Sequence, residues 1–325
     1  MAIGSGVDAQ FGFKTESVWG TPVTVDRFLE FESESVKANV ANVDSKGLGQ
    51  GRYLRTNRTK RYTKDAGGSI TFPVMNKGMG LLFQHMLGAV STAVDTPVAG
   101  ANQHTFTGGS AGKAGLSATV QVGKPDITGT VRPFTLAGGK IVTWELKCAL
   151  DEGLVASTDW DFKSIVTATA LASKSFASGA EQFIFTEGAL TLGGGAKSVR
   201  SFSLKKTEPL KTDRRFIGNS KLEQLVNGMA DISGQLECEF EDLDDYAAIV
   251  AGTQAALVLT FTTASFITGT TPSVLTITVP KIEFMGDTPV VGGPDVLMQP
   301  LPFRALYDGS NEPVTVLYQT ADATP

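Results

Sequence analysis

Two stretches that read alike decide the fold: residues 68–74 (GSITFPV) and residues 234–240 (GQLECEF). In each, a glycine precedes side chains that alternate between polar and apolar, the pattern of a strand with one buried face. Each stretch then runs into a short segment with apolar side chains at helical spacing, residues 76–87 and residues 242–250. The order strand then helix therefore occurs twice along the chain.

Other elements repeat in the same order around these two units. The matching stretches are residues 31–37 with 199–205, 116–122 with 256–262, 139–146 with 280–286, and 159–162 with 300–303. We therefore predict a mainly β protein of two tandem β-sandwich or open-barrel domains, each with one short flanking α-helix. The first domain covers residues 1–170 and the second residues 180–325, joined near residues 169–180. An unrelated pair of β-domains is the alternative.

Two polar segments interrupt this pattern. Residues 44–65 are rich in Gly, Arg, Lys, Asn and Thr, which predicts a projecting loop or extended arm. Residues 208–231 take its place in the second copy. Residues 90–115, full of small residues, have no counterpart and are predicted to form a surface insertion.

Composition limits the function classes. The 325 residues carry a net charge of -5, which disfavours tight nucleic-acid binding, and 36 of them are Gly. No stretch approaches the ~18 apolar residues of a membrane span, and the first residues do not resemble a signal peptide. We expect no membrane partner and synthesis in a cytoplasm. Cys148 and Cys238 lie in alternating apolar runs and are predicted to be small core residues.

No pattern of catalytic or metal-binding residues emerges. His85 and His104 lack partners at ligand spacing, and we expect His85 at a helix edge. Residues 193–198 (GGGAKS) lack the spacing of a phosphate loop and are predicted to form a turn. Residues 237–245 are rich in acids, but the acids alternate with apolar residues, which favours a solvated strand face over a calcium site. We predict no enzyme, no cofactor and no metal.

A family resemblance covers nearly the whole chain. Residues 12–22 (GFKTESVWGTP), followed by the acidic strand, resemble the start of many tail tube proteins of long-tailed, non-contractile bacteriophages. The unit at residues 234–252, with the strands at residues 256–261 and 279–284 and the ending at residues 302–306, is similar to the C-terminal half of that family. The resemblance implies a self-assembling structural protein of the virion tail.

In that family, strands of neighbouring subunits join into one barrel around a channel, rings stack, and the channel conducts DNA. The resemblance also implies tape-measure, tail terminator and distal tail proteins as partners, with only transient, non-specific passage of DNA. Members usually carry one domain and form six-fold rings, so two domains imply a trimer that imitates a hexamer. A capsid-decoration protein or a cell-surface β-sandwich binding module is the alternative function.

Two sets of residues are predicted to line the channel and to connect the rings. An acidic or hydroxyl-rich wall would let DNA slide through the channel. The residues expected to face the lumen are Glu32, Glu34, Ser69, Thr71, Glu237 and Glu239. The cations expected to dock the arm onto an acidic neighbouring ring are Arg52, Arg55, Arg58, Lys60, Arg61 and Lys64.

Overall fold

Half of the chain is β-strand. The structure, a computed structural model, describes residues 3–49, 51–94, 100–108, 113, 115–286, 288–291, 293–294 and 296–325. Strand makes up 51% and helix 8%, and the sheets do not close into a barrel within the chain. This confirms the predicted mainly β, sandwich-like fold.

The described residues contain these strands: β1 Gln10–Thr15, β2 Arg27–Leu29, β3 Ser33–Glu34, β4 Lys37–Asp44, β5 Thr59–Pro73, β6 Ala89–Val94, β7 Asn102–Thr107, β8 Ala118–Pro125, β9 Val131–Ala149, β10 Val155–Phe162, β11 Ser164–Val166, β12 Gly188–Leu192, β13 Gly195–Ala196, β14 Ser201–Thr207, β15 Leu210–Lys211, β16 Val226–Asn227, β17 Asp231–Glu239, β18 Gln254–Thr268, β19 Thr271–Phe284, β20 Met298–Ala305 and β21 Thr315–Thr320. The helices are α1 Gly80–Leu87 and α2 Asp244–Ala251. Short 3₁₀ turns occupy Gly6–Asp8, Thr56–Arg58 and Phe185–Glu187.

The strands fall into two sets with the same antiparallel order. In the first set, β3 and β4 pair with β5, followed by β10 and β9, while β2, β1, β8, β9 and β11 form the facing sheet. In the second set the orders are β14, β17, β20, β19 and β13, β12, β18, β19, β21. One long strand, β9 or β19, belongs to both sheets of its set.

The strand registers of the two sets also agree. Ser33 lies opposite Thr71 as Ser201 lies opposite Glu237, the pairing expected from the alignment of residues 31–37 with 199–205. Register shifts fall at corresponding points, in β8 after Ala118 and in β18 after Ala255.

Three predicted correspondences need correction, because residues 139–146 and 159–162 are each displaced by two positions, and residues 116–122 by three, against the second copy. Trp160 lies opposite Gly68, and Phe303 lies opposite Gly234. Because the two glycines were aligned with each other, Trp160 and not Phe162 corresponds to Phe303. The alternation of β10 and β20 hid this shift, since moving a strand by two residues leaves its buried face unchanged.

Aromatic side chains join the two sheets of the first set. The rings of Phe11 on β1 and Phe72 on β5 lie 4.9 Å apart at their centroids in an edge-to-face arrangement. Phe13 and Ile70 are also completely buried beside them. Burying such side chains contributes roughly 1.5–3 kcal/mol each, so this interface stabilises the packing of the two sheets on each other.

Both predicted helices are present, each within a few residues of its expected bounds. Each stops at a glycine: Gly88 has φ 131° and Gly252 has φ 63°, a region that favours a residue without Cβ. The predicted turn in residues 193–198 is also confirmed, because Gly193 and Gly194 form the two-residue turn between β12 and β13, with φ of 59° and 87°.

The polar arm is a β-hairpin, not a loop. Strand β4 pairs with the first part of β5 from Lys37 opposite Gly67 to Asp44 opposite Thr59. Both strands are largely exposed there, so the sequence has no alternating apolar face that would predict them. Residues 28–37, whose acidic and other side chains alternate in the sequence, are divided among β2, β3 and the start of β4.

The predicted insertion is also partly ordered into strands. β6 pairs with β7, and β7 pairs with β21 near the C-terminus, so this hairpin extends a sheet of the second set. His104 on β7 is fully buried and its Nε2 lies 2.9 Å from the carbonyl oxygen of Asp322. The prediction of a surface insertion was therefore wrong for β7, whose alternate residues are buried, whereas β6 is largely exposed. Residues 95–99, 109–112 and 114 lie outside the described residues.

Candidate functional site

The two sets of strands meet at a seam, which we define as the pairing of residues 143–149 of β9 with β14. Thr143 lies opposite Thr207 and Ala149 lies opposite Ser201, and seven consecutive residue pairs are formed. The seam fuses the two four-stranded sheets into one sheet of eight, in the order β3/β4, β5, β10, β9, β14, β17, β20, β19.

A polar surface runs across all eight strands, on the side away from the core. Because each residue lies directly opposite the next, one row can be followed from strand to strand: Ser33, Thr71, Ser157, Glu145, Lys205, Ser233, Arg304 and Glu283. At the end of the row, Arg304 Nη2 donates to Glu283 Oε2 at 2.6 Å. The polar face is thus shared by both halves of the chain.

Four of the six residues predicted to line a lumen lie on this polar face. Ser69 and Thr71 occupy it on β5, and the Ser69 hydroxyl donates to Asp159 at 2.5 Å. Glu237 and Glu239 occupy it on β17, where Glu237 accepts a hydrogen bond from Ser201 at 3.1 Å. The structure thus brings together residues from both halves of the chain.

The other two residues, Glu32 and Glu34, do not lie on the polar face. Glu32 is exposed and lies outside any strand, where its backbone N–H donates to Thr71. Glu34 lies opposite Ile70, on the other side of the sheet, and its carboxylate accepts from Lys124 at 2.8 Å. The irregular backbone before β3 puts Ser33, not Glu34, beside Thr71.

Carboxylates outnumber cations on the polar face. The acids are Glu145, Asp159, Asp161, Asp231, Glu237, Glu239 and Glu283, against Lys37, Lys147, Lys205 and Arg304. Partial burial, with the neighbouring carboxylates of Asp65 and Asp159, raises the pKa of Asp161. The face is therefore acidic overall, with some charges already paired.

On its core side, the seam buries a cluster of charges. Lys206 on β14 is 1% exposed, and its Nζ lies 3.3 Å from the carboxylate of Glu208, which is equally buried. The same carboxylate lies 3.2 Å from Lys113 Nζ and accepts a hydrogen bond from the Asn227 amide at 2.5 Å. Lys140 on β9 donates to the side chain of Asn227 at 3.1 Å.

This cluster holds three ammonium groups around one carboxylate. Burial lowers the pKa of Lys113 to about 8, although Glu208 opposes the shift, and burial also lowers the pKa of Lys140. Burial alone would raise the pKa of Glu208, but Lys113 and Lys206 outweigh it and hold that pKa below its usual range. Our sequence reasoning missed the cluster, although the alternation of residues 201–208 places Lys206 on the apolar side.

The six cations predicted for the arm all lie on its hairpin. Arg52, Arg55 and Arg58 lie in and near the tip, and Lys60, Arg61 and Lys64 lie on β5 where it pairs with β4. All are exposed except the half-buried Lys64. At the base of the arm, Arg215 of the second half forms an ion pair with Asp65.

Nothing in the described residues resembles a catalytic centre. The largest described cavity, of about 460 Å³, is lined mainly by apolar and small residues such as Phe185, Phe202 and Phe261, with Lys197 as its charged member. Among the described residues no group of three or more His, Cys, Asp or Glu could hold a metal ion. His85, expected at a helix edge, is buried, and burial lowers its pKa to about 3.

A model of a known protein family matches most of the chain. The family model described as phage tail tube protein matches residues 6–305. No curated protein sequence matches the chain. In the described part of the chain, no helix is both long enough and apolar enough to cross a membrane.

Proposed function

We propose that this chain, which belongs to the phage tail tube protein family, closes into rings of three subunits that stack into the DNA-conducting tube of a long-tailed, non-contractile phage. Family membership makes it a structural component of the virion tail. The seam between β9 and β14 is the observation that carries the ring proposal.

The seam supports the proposal because it already joins two similar units edge to edge. The shared strand order, matching registers and matching bulges of the two halves are what an internal duplication would produce. If the halves are equivalent, a ring of such units repeats one junction, and the seam is the copy of that junction made within the chain.

A free strand edge is described at one end of the eight-stranded sheet, and the proposal requires a second edge to form at the other end on assembly. At one end, β3 and β4 pair only with β5 among the described strands. At the other end, residues 288–291 follow β19 and form no described strand, and Val290 and Val291 are 79% and 77% exposed. Exposed strand edges are liabilities that closure removes.

The seam predicts which residues would meet across these edges. In the seam, Ser203 lies opposite Lys147. Ser35 corresponds to Ser203 through its contact with Ser69 of β5. Val290 corresponds to Lys147 if the residues after β19 repeat the one-residue shift that β9 makes against β10 between Asp159 and Trp160. Ser35 of one subunit should therefore lie opposite Val290 of the next.

Three subunits follow from the number of units in a ring. If the lumen keeps the six units that the single-domain relatives supply, two units per chain require three chains. Half of the junctions are then intramolecular seams, and half join separate chains. Each chain presents the same pair of edges, so the ring closes without leaving an unpaired edge.

The polar face of the sheet is the proposed lumen wall. Its excess of carboxylates would repel phosphates, whereas a basic wall would trap DNA by releasing counterions. Ser69, Thr71, Glu237 and Glu239 keep their predicted role, while Ser33 takes the place of Glu34. Tape-measure, tail terminator and distal tail proteins remain the partners proposed for the assembled tube.

Paired cysteines test the ring. In the variant Ser35→Cys/Val290→Cys, oxidation should link neighbouring chains, because directly opposed residues have Cβ atoms about 4.5–5.5 Å apart. Denaturing gels should show covalent dimers and trimers and nothing larger. The matched control is Ser203→Cys/Lys147→Cys across the seam, which should form its disulfide within one chain and keep the monomer mass.

Two results would contradict the proposal. Tubes seen by electron microscopy without any linkage of the Ser35→Cys/Val290→Cys variant would refute the predicted junction. A covalent ladder that extends to six chains would refute the trimer while leaving the tube intact.

A further inference from the structure

Helix α2 presents an unpartnered face. None of its residues is fully buried, and Leu243 and Val250 are 67% and 70% exposed. Its counterpart α1 buries six of its eight residues, including Leu82, Phe83 and Met86. Exposed apolar side chains grouped on one element commonly mark a contact surface.

Acidic side chains surround this face. Asp242 and Asp244 are exposed just before and at the start of α2. Lys197 compensates the other nearby acids, since its Nζ lies 2.8 Å from Asp245 and 3.8 Å from Glu241. A partner of α2 should therefore combine positive charge with apolar side chains.

The tip of the arm has this composition. Residues 45–64 contain seven basic residues and no acidic one. Between the cations, Leu48, Tyr53 and Leu54 are 97%, 88% and 60% exposed. The arm and α2 are thus complementary both in charge and in having apolar groups for the contact centre.

The fold places these surfaces at opposite ends of the subunit. Four antiparallel pairings separate β5 from β17 in the eight-stranded sheet, so the two strands run parallel. The arm precedes the sheet portion of β5, whereas α2 follows β17. The arm therefore leaves one end of the sheet, and α2 lies at the other.

We propose that the arm tip of each subunit docks on α2 of a subunit in the adjoining ring, a contact that rests on the proposed function. Opposite ends are what head-to-tail stacking requires, since a heterologous contact that does not close generates a filament. In the described part of each chain there is one such arm and one exposed helix, because α1 is covered. A trimeric ring then accepts the next ring in three rotational settings instead of six.

Charge reversal on each side of the contact tests the pairing. The arm variant is Lys46→Glu/Arg52→Glu/Arg58→Glu, which leaves residues 45–58 with three carboxylates and one cation, and the helix variant is Asp242→Lys/Asp244→Lys. Glu152→Lys is the matched control, because the exposed Glu152 follows β9, which runs parallel to β17, and so lies at the same end of the sheet as α2. Native mass spectrometry counts chains per ring, and negative-stain microscopy measures tubes.

Neither variant should form tubes alone, since each then carries the same charge on both contact surfaces. An equimolar mixture should form tubes, because each arm meets a helix of opposite charge at every ring junction. The Glu152→Lys control should polymerise like the wild type.

Tubes formed by the helix variant alone, or a mixture that stays as rings, would overturn the docking proposal. Wild-type chains that never form rings in native mass spectra would instead refute the proposed function, on which the docking depends.

Discussion

The charge cluster behind the seam allows a quantitative test with Glu208→Gln. The substitution removes the charge of a carboxylate 3.2 Å from Lys113 and 3.3 Å from Lys206, but keeps an oxygen that can accept the hydrogen bond of Asn227. Buried ammonium groups are then left without a counter-charge, which typically costs about 3–5 kcal/mol. That is a large part of the roughly 5–15 kcal/mol by which domains are stable.

Thermal and urea denaturation of purified subunits would measure this loss, expected as a fall in melting temperature of roughly 5–15 °C. Adding Lys206→Met should recover much of the loss, because it removes one unpaired charge and places an apolar side chain beside Trp144. Glu283→Gln is the control: its pair with Arg304 is partly exposed and should contribute under about 1 kcal/mol. A loss below about 1 kcal/mol in Glu208→Gln, or no recovery in the double variant, would refute the reasoning.

Two further predictions concern pH and packing. The folded pKa of Lys113, about 8, lies below its usual value, so the unfolded chain binds the extra proton between pH 8 and 10.5, and this group makes stability rise with pH. Burial raises the pKa of Cys148 and Cys238 to about 11, which opposes the rise in stability above pH 9. Both proteins contain these cysteines, so the free energy of unfolding of the wild type minus that of Lys113→Met, measured in urea, should still increase from pH 8 to 10. A difference that does not change with pH would exclude the effect. Gly234→Ala should lower stability by about 1–3 kcal/mol because its Cβ would overlap the Phe303 ring, whereas Gly6→Ala, with no atom near, should be neutral in the same unfolding assay.

Regular alternation of polar and apolar residues, together with glycines that end helices, made much of the fold predictable. Residues 68–74 and 234–240 alternate cleanly because one face packs into the core, and both lie in strands. Both helices end at their glycines for the backbone reason already given. Elements with a clear buried side and a clear stop could therefore be located from the sequence alone.

Features that depend on tertiary contacts could not be predicted from the sequence pattern. The arm hairpin has little buried surface, so nothing in its pattern distinguished strand from loop. His85 is buried because Phe13 and Trp160 pack around it, and its Nε2 lies 2.9 Å from the Thr15 hydroxyl. The role of Glu34 changed because the three irregular residues between β2 and β3 altered the phase of the alternating pattern.

The two halves of one chain are held together at more than the seam. Besides β9 and β14, the β6–β7 hairpin of the first half pairs with β21 of the second, and the terminal Pro325 packs against Gly80 of α1. The second half has no equivalent hairpin, because β18 begins at Gln254, three residues after α2 ends. A junction between chains would therefore resemble the seam without these extra contacts. The same asymmetry covers α1 and leaves α2 exposed, so divergence of the two halves would both strengthen the intramolecular junction and restrict stacking to one helix per chain.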